Sequence, residues 1–241
     1  MHNSVYVPCP SGHGTYTQTV SINSMTDEQT IELIEKEFKE KTLGATEQYL
    51  EIHSPIYVDN KLKVDRIDRE SNDGLIIAYL PILVERFYFA VYINSTVNQI
   101  TNVGTEAFHR VYFRATSESL TINELQSITK LTRTGGWNIG DMRKKGKSVY
   151  KFSSFEILPN PEPDEFEDKL KKLLDFLEQD NDGIKQLAEK ANGQIQVAMD
   201  IHKGNGMIGG PNIDKDDIRR MNKLGLSINF DLYVGGNSFK E

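Results

Sequence analysis

The chain has 241 residues, 38% of them hydrophobic and 26% charged, with a formal net charge of −7. That composition excludes a disordered or membrane-embedded chain and leaves one large or two ordinary domains, each able to bury a core without disulfide or metal staples. The negative charge also argues against general affinity for nucleic acid or anionic lipid, which are held through Lys and Arg, so nucleic acid is not an expected partner.

The opening MHNSVYVPCPSGHG lacks the basic start and continuous apolar core of a secretory signal. The longest apolar run, Leu75 to Val84, is broken by Pro81 and is too short to span a bilayer. A cytoplasmic location is the expectation. Cys9 is the only cysteine, so no internal disulfide can form, in keeping with a reducing compartment.

Thr15 to Ile22 alternates as a strand, and Thr26 with Gln29 then forms a capping box before Ile31, Ile34 and Phe38 recur on one helical face until Gly44. Tyr49–His53 and Ile56–Asp59 read as short strands, and Lys61–Ser71 as irregular. Strong strand patterns follow at Leu75–Leu80 and Arg86–Asn94. The second is apolar on both faces and belongs inside a sheet. Asn94–Glu106, rich in Asn, Thr and Gly, reads as a hairpin and then a linker, which divides the chain into residues 1–104 and 105–241.

The second part opens with a strand at Arg110–Ala115, a capping box at Thr121 and Glu124, and a short helix carrying Ile122, Leu125 and Ile128. A strand is expected over Ser148–Ile157. A helix capped by Asp164 follows, with Phe166, Leu170, Leu173, Leu174 and Leu177 on one face, broken at Asn181–Gly183. Ile184–Ala191 makes a second helical piece ended by Asn192-Gly193, and Gln194–His202 alternates with Ile195, Val197, Met199 and Ile201 inward. After a glycine-rich loop comes a helix from Asp214 with Ile218, Met221 and Leu224 inward. The last strand, Leu226–Val234, sets Leu226, Ile228, Phe230 and Leu232 on one face. The fold class is therefore α+β: two sheet-plus-helix domains, the second running β-α-β-α-α-β-α-β with helices on one face of a mixed or antiparallel sheet. The first half also begins strand then helix, which raises the idea of a remote duplication.

Several patterns carry chemistry. Thr132–Phe152 holds the only tryptophan, Trp137, among Arg133, Arg143, Lys144, Lys145 and Lys147, a local excess of positive charge in an acidic chain. Such a patch suits an acidic protein partner, a nucleotide phosphate or single-stranded nucleic acid, where the indole can stack on a base. The opposing reading is a sheet-end plug with solvated lysines, salt-bridged to the acidic run at 162–168. Gly204, Gly206 and Gly209 spell G-x-G-x-x-G with Asp231 downstream, but Pro211-Asn212-Ile213 intervene before the helix, where the dinucleotide fingerprint opens its helix within the glycines. Cys9 and His13 have no second ligand pair at metal spacing, so neither metal nor cofactor is expected. The carboxylates at 162–168 and 214–217 suit the positive ends of the helices they precede.

VYFRAT, the loop with Trp137, Gly140 and Asp141, the aromatics Tyr150 and Phe152, the pair Gly209-Gly210, and LGLSINFDLYV with Leu224, Gly225, Asp231 and Tyr233 occur in an order that resembles a bacterial family of domains of unknown function, number 4279, over about 108–235. The resemblance implies a fold family and no activity. Taken together, the chain is expected to be a non-enzymatic bacterial interaction protein, an immunity or regulatory partner whose acidic surface suits a basic protein such as a nuclease toxin. The alternative is a small-ligand or nucleotide-phosphate binding module that uses the Trp137 loop and the Gly204–Gly210 loop.

Overall fold

The structure, a computed structural model, describes residues 25–70, 74–143, 146, 148–204 and 210–240. The expected strand at Thr15–Ile22, and with it the suggested duplication, lies outside these residues, as do Cys9 and His13.

Helix α1 (Asp27–Glu40) starts on the expected box: Gln29 N–H donates to the Thr26 hydroxyl at 3.3 Å, and Thr26 N–H donates to the Gln29 side chain at 2.9 Å. Ile34 and Phe38 are buried. The helix ends at Lys41 in the left-handed region (φ 52°), and Gly44 does not close it but opens α2 (Gly44–Ile52). Tyr49–His53 is therefore the end of a helix and not a strand. The cause is a tertiary tie that local pattern cannot show: the buried Glu37 carboxylate accepts from Thr46 Oγ1 (2.6 Å) and Leu43 N–H (3.0 Å), folding α2 back on α1.

Strands β1 (Tyr57–Val58) and β2 (Lys61–Leu62) form a small hairpin whose turn residues, Asp59 and Asn60, both have positive φ. The stretch expected to be irregular also contributes β3 (Arg66–Asp68), the edge of an antiparallel sheet with β4 (Leu75–Pro81), β5 (Tyr88–Asn94) and β6 (Gln99–Glu106) in the order β3-β4-β5-β6. β5 is interior, as its doubly apolar pattern requires. The expected linker at Val103–Glu106 is instead the end of β6, where Val103 is buried against the first core and Glu106 pairs with Tyr88. Asn and Gly residues are poor strand formers, but β5 supplies the partner they need.

Only Ala107 separates β6 from β7 (Phe108–Ser117), which begins a second sheet. Its elements are α3 (Ile122–Ile128), β8 (Gly135–Trp137), β9 (Ser153–Ile157), α4 (Phe166–Leu177), a 3-10 turn (Glu178–Asp180), α5 (Asn181–Lys190), β10 (Gln194–His202), α6 (Lys215–Lys223) and β11 (Ser227–Gly235). The order is β11-β10-β7-β9-β8, with β10 and β11 parallel across the α6 crossover and the other pairs antiparallel. Each half is thus a sheet with helices.

Helices α3 to α6 pack on one face of this second sheet. Leu170, Leu173, Leu174 and Leu177 of α4 are fully buried against Phe113, Phe155, Ile195 and Val197, each worth roughly 1.5–3 kcal/mol relative to exposure. Residues of the other parity, including Arg110, Tyr112 and Arg114 on β7, Ser154 and Glu156 on β9 and Trp137 on β8, share the face without helices, since directly opposed residues point to the same side.

Five local expectations change. Glu165, not Asp164, is the N-cap of α4, because the Asp164 carboxylate is spent on long-range partners. The segment Asn181–Gly183 does not break the helical run for long: Asp180 accepts from Gly183 N–H and starts α5 at once. The strand expected from Ser148 begins only at Ser153. Ile218 points outward at 52% exposure, since Met221 and Leu224 fill the contact that α6 makes. Leu232 is 59% exposed because β11 is an edge strand.

Candidate functional site

The tryptophan segment folds as a long hairpin between β8 and β9. Its base is fixed by Gly136, which has φ 130° and lies so close to β9 that a Cβ there would sit 2.1 Å from the Ser154 carbonyl oxygen. Above the base, Asn138 N–H donates to Asp141 Oδ2 (2.8 Å), while Asn138 Oδ1 accepts from Ile122 N–H (2.8 Å) and so ties the turn to the start of α3. Gly140 N–H donates to the Tyr150 carbonyl and Tyr150 N–H to the Asp141 carbonyl, both at 2.9 Å; Arg143 N–H donates to the Ser148 carbonyl at 3.0 Å. Trp137, Tyr150 and Phe152 are thereby gathered on the helix-free face.

Trp137 stacks on Tyr150 with ring centroids 4.5 Å apart and planes 19° apart, and Phe152 tilts against it at 5.9 Å. Arg114 reaches across from β7 with its guanidinium carbon 5.8 Å from the Trp137 ring and 5.6 Å from the Phe152 ring; Arg143 covers Tyr150 at 5.3 Å. The result is a layered platform of cations and aromatic rings. Beside it runs an open cleft of about 340 Å³, lined by Ile122, Arg133, Thr134, Gly135, Trp137 and Asp141.

Among the described residues, two buried donors on this platform have no acceptor: Trp137 Nε1 and Arg114 Nε. Glu156, opposite Arg114 in the register, is committed to Arg110 at 2.8 Å, and the Arg110 guanidinium lies 4.0 Å over the Tyr112 ring. A buried donor left unpaired costs about 1–3 kcal/mol.

Of the residues singled out by sequence, Trp137 and Arg143 meet here through Tyr150. Arg133 turns toward α3, with Nη1 3.3 Å from Asn123 Oδ1, and borders the cleft from the far side. Lys144, Lys145 and Lys147 lie outside the described residues, as do Gly206 and Gly209. Trp137 is half-buried, so it is neither a free stacking surface nor a plug sealed in the core. Gly204 packs against His202 and Phe239, and Gly210 borders a different cleft. Arg114 is the residue that sequence reasoning missed. Its signal was a cation alternating with the inward Val111, Phe113 and Ala115 of VYFRAT, on a face that had not been located.

That other cleft, about 210 Å³, lies at the seam between the sheets and is lined by Glu106, His109, Glu165, Glu167, Met199 and Leu232, among others. Tyr79 OH donates to Glu165 Oε1 at 3.4 Å, and Tyr92 OH donates to Glu106. Burial, reinforced by Glu106 and Glu167, pushes the Glu165 carboxyl up to about 7. Burial also holds His109 below the usual histidine range, and its Nδ1 lies 3.1 Å from the Asp164 carbonyl. The acidic run thus faces the first half of the chain, where Asp164 takes Arg66 (2.9 Å) and Lys172 (2.7 Å) as partners. Among the described residues no group of three or more His, Cys, Asp or Glu is placed to hold a metal ion, and no helix is long and apolar enough to cross a membrane.

No curated protein and no solved structure matches the chain. The family model described as "Domain of unknown function (DUF4279)" matches residues 106–235, which begin at the last residue of β6 and end with β11, and so cover the whole five-stranded sheet with its four helices. On that match, which spans more than half of its length, the chain belongs to the DUF4279 family.

Proposed function

We propose that the protein is a cytoplasmic, non-enzymatic bacterial interaction module that docks a protein partner on the Trp137 hairpin, in the manner of an immunity or regulatory protein. The observation that carries this reading is the set of exposed apolar side chains, Ile139, Met142 and Val149, on the same hairpin as the stacked Trp137–Tyr150 pair and Arg143. Aromatic residues, Met and Arg are the types enriched at the centres of protein interfaces. A small ligand needs an enclosed pocket, whereas this surface exposes apolar side chains beside an open cleft.

The two scales of charge work together. A net charge of −7 steers a basic partner toward the chain from a distance, and the local cations on the hairpin set the orientation of the final contact. Panning a phage-displayed random peptide library against the full chain tests the docking surface. Enriched peptides are expected to carry apolar residues and to lose roughly tenfold or more in affinity when Met142 and Arg143 are both changed to Ala, as loss of an interface centre does. Enriched peptides that bind the double variant as well as the parent would place the docking surface elsewhere and overturn the reading.

A further inference from the structure

We infer that the outer edge of β11 is a second interaction surface and that the partner it fits is a second copy of this chain, joined strand to strand in antiparallel pairing about a two-fold axis at Leu232. The inference is independent of the Trp137 hairpin, which lies at the opposite edge of the same sheet. An edge strand presents a row of unpaired backbone N–H and C=O groups. Folded chains ordinarily guard such rows by keeping the strand short, bending it with a bulge or charging it. Among the outer strands of the two large sheets, β3 and β8 are only three residues long, and β3 carries Arg66 and Asp68. β6 is interrupted by a register shift at which Thr101 is the extra residue. β11 has none of these guards. Its nine residues run in unbroken register with β10, contain no Lys, Arg or Pro, and have no strand on their other side among the described residues.

The described tail does not cover this edge. Gly236, at φ 89°, turns the backbone onto the rings of His202 and Phe87, and Asn237 and Phe239 then fasten to Ile52 and Tyr49. The chain thus runs toward the first half and not back along β11.

The side chains of the edge choose its partner. Leu232, Tyr233 and Val234, at 59%, 53% and 57% exposure, form the longest run of exposed large apolar residues among those described. Phe230, Leu232 and Val234 lie on the helix side of the sheet, and Asn229, Asp231 and Tyr233 on the other. An axis at Leu232 sets that residue against Leu232 of the partner subunit, Phe230 against Val234 of the partner subunit, and Asp231 against Tyr233 of the partner subunit. Apolar then meets apolar, and a phenol stands where it can donate to a carboxylate. An axis at Asp231 would pair more of the strand, but it opposes two carboxylates, which destabilises a sheet. Asp231 is held on its face by Gln196 Nε2–H, which donates to it at 3.0 Å. Such an axis is perpendicular to the sheet, so the helices of both copies stay on one side of a single ten-stranded sheet built from two of five. The two Trp137 hairpins stand at its far ends, free for other partners. Two chains of charge −7 repel, but at physiological salt charges more than about 8 Å apart are largely screened.

Sedimentation velocity of the full chain over a concentration series tests the pairing. The parent is expected to pass from monomer to dimer below about 100 μM, in keeping with a small interface. Leu232→Lys sets two ammonium groups against each other on the axis and should raise the dissociation constant roughly tenfold or more. Val234→Lys, opposite Phe230, serves if that variant does not fold. Ser227→Lys, on the same edge but outside the paired residues, should leave the constant unchanged. Cysteines test the register once Cys9→Ser has removed the native one. On mild oxidation Leu232→Cys should give a disulfide-linked dimer, because directly opposed residues lie within disulfide reach; Asp231→Cys, whose two copies are only diagonal neighbours, should not. A parent that stays monomeric at roughly 300 μM, a dimer that both lysine variants leave intact, or a crosslink with Asp231→Cys and not with Leu232→Cys would each overturn the assignment. Slow amide exchange along β11 in a monomeric parent would show the edge filled by another segment of the same chain and would overturn it as well.

Discussion

The seam between the two sheets and the Trp137 platform are both built from cations, aromatic rings and carboxylates, yet they resolve their charges in opposite ways. At the seam Arg66, Lys172 and Asn160 converge on Asp164, whose side chain is wholly buried, and Arg66 also holds Asp68 at 2.9 Å and the Pro163 carbonyl at 2.9 Å. Elsewhere between the two halves, Asn237 Nδ2–H donates to the Ile52 carbonyl at 2.7 Å, and Phe239 packs on Tyr49 and His202. On the platform, Arg114 lies between two rings, and among the described residues its Nε has no acceptor. A charge that is buried and paired belongs to the fold; a charge that is held in place without a counter-charge is available to something outside it.

The largest effect should come from breaking the seam. Asp164→Ala removes the shared acceptor of Arg66 and Lys172, and loss of one partner from a buried ion pair costs about 3–5 kcal/mol. Chemical denaturation should show a drop near the lower end of that range, because Arg66 keeps Asp68 and the Lys172 ammonium is free to turn toward water. A change under about 0.5 kcal/mol, typical of surface positions, would remove the contrast between the two regions.

A smaller, pH-dependent effect comes from Glu165. Its carboxyl titrates in the fold at about 7, against an ordinary value of 4.5, because it is buried near Glu106 and Glu167. The fold therefore prefers the protonated form: that contribution is fully present below about 4.5 and is lost as pH rises through 7. Glu165→Gln, which stays neutral and still accepts from Tyr79, should match the parent near pH 4 and exceed its stability by roughly 1–3 kcal/mol at pH 8. Equal stability of the two proteins at both pH values would show that Glu165 ionises at no cost and that the seam is wetter than its geometry implies.

How much of this was legible in the sequence depends on how far each feature reaches along the chain. The capping boxes at Thr26 and Thr121 and the Asp214 cap of α6 are local, and they stand where their spacing put them. The alternation of β10 fixed both its bounds and its inward residues. Features that need a distant partner were read less well. Glu37 turns Gly44 from a helix stop into a helix start, and β5 makes a strand of the Asn- and Thr-rich segment taken for a linker. In the candidate site, composition singled out Trp137 and Arg143, but the platform also needs Arg114 from another strand and Tyr150 from the far side of the hairpin. No spacing rule joins residues across a register that is set only when the sheet forms.

The measurement that bears most directly on the contrast between paired and available charge is the stability of Arg114→Gln compared with that of Asp164→Ala. If Arg114 serves a partner and not the fold, its loss should leave unfolding within about 0.5 kcal/mol of the parent, while peptides selected on the hairpin bind at least roughly tenfold more weakly. A loss of stability as large as that of Asp164→Ala would make Arg114 a structural cation and contradict the account.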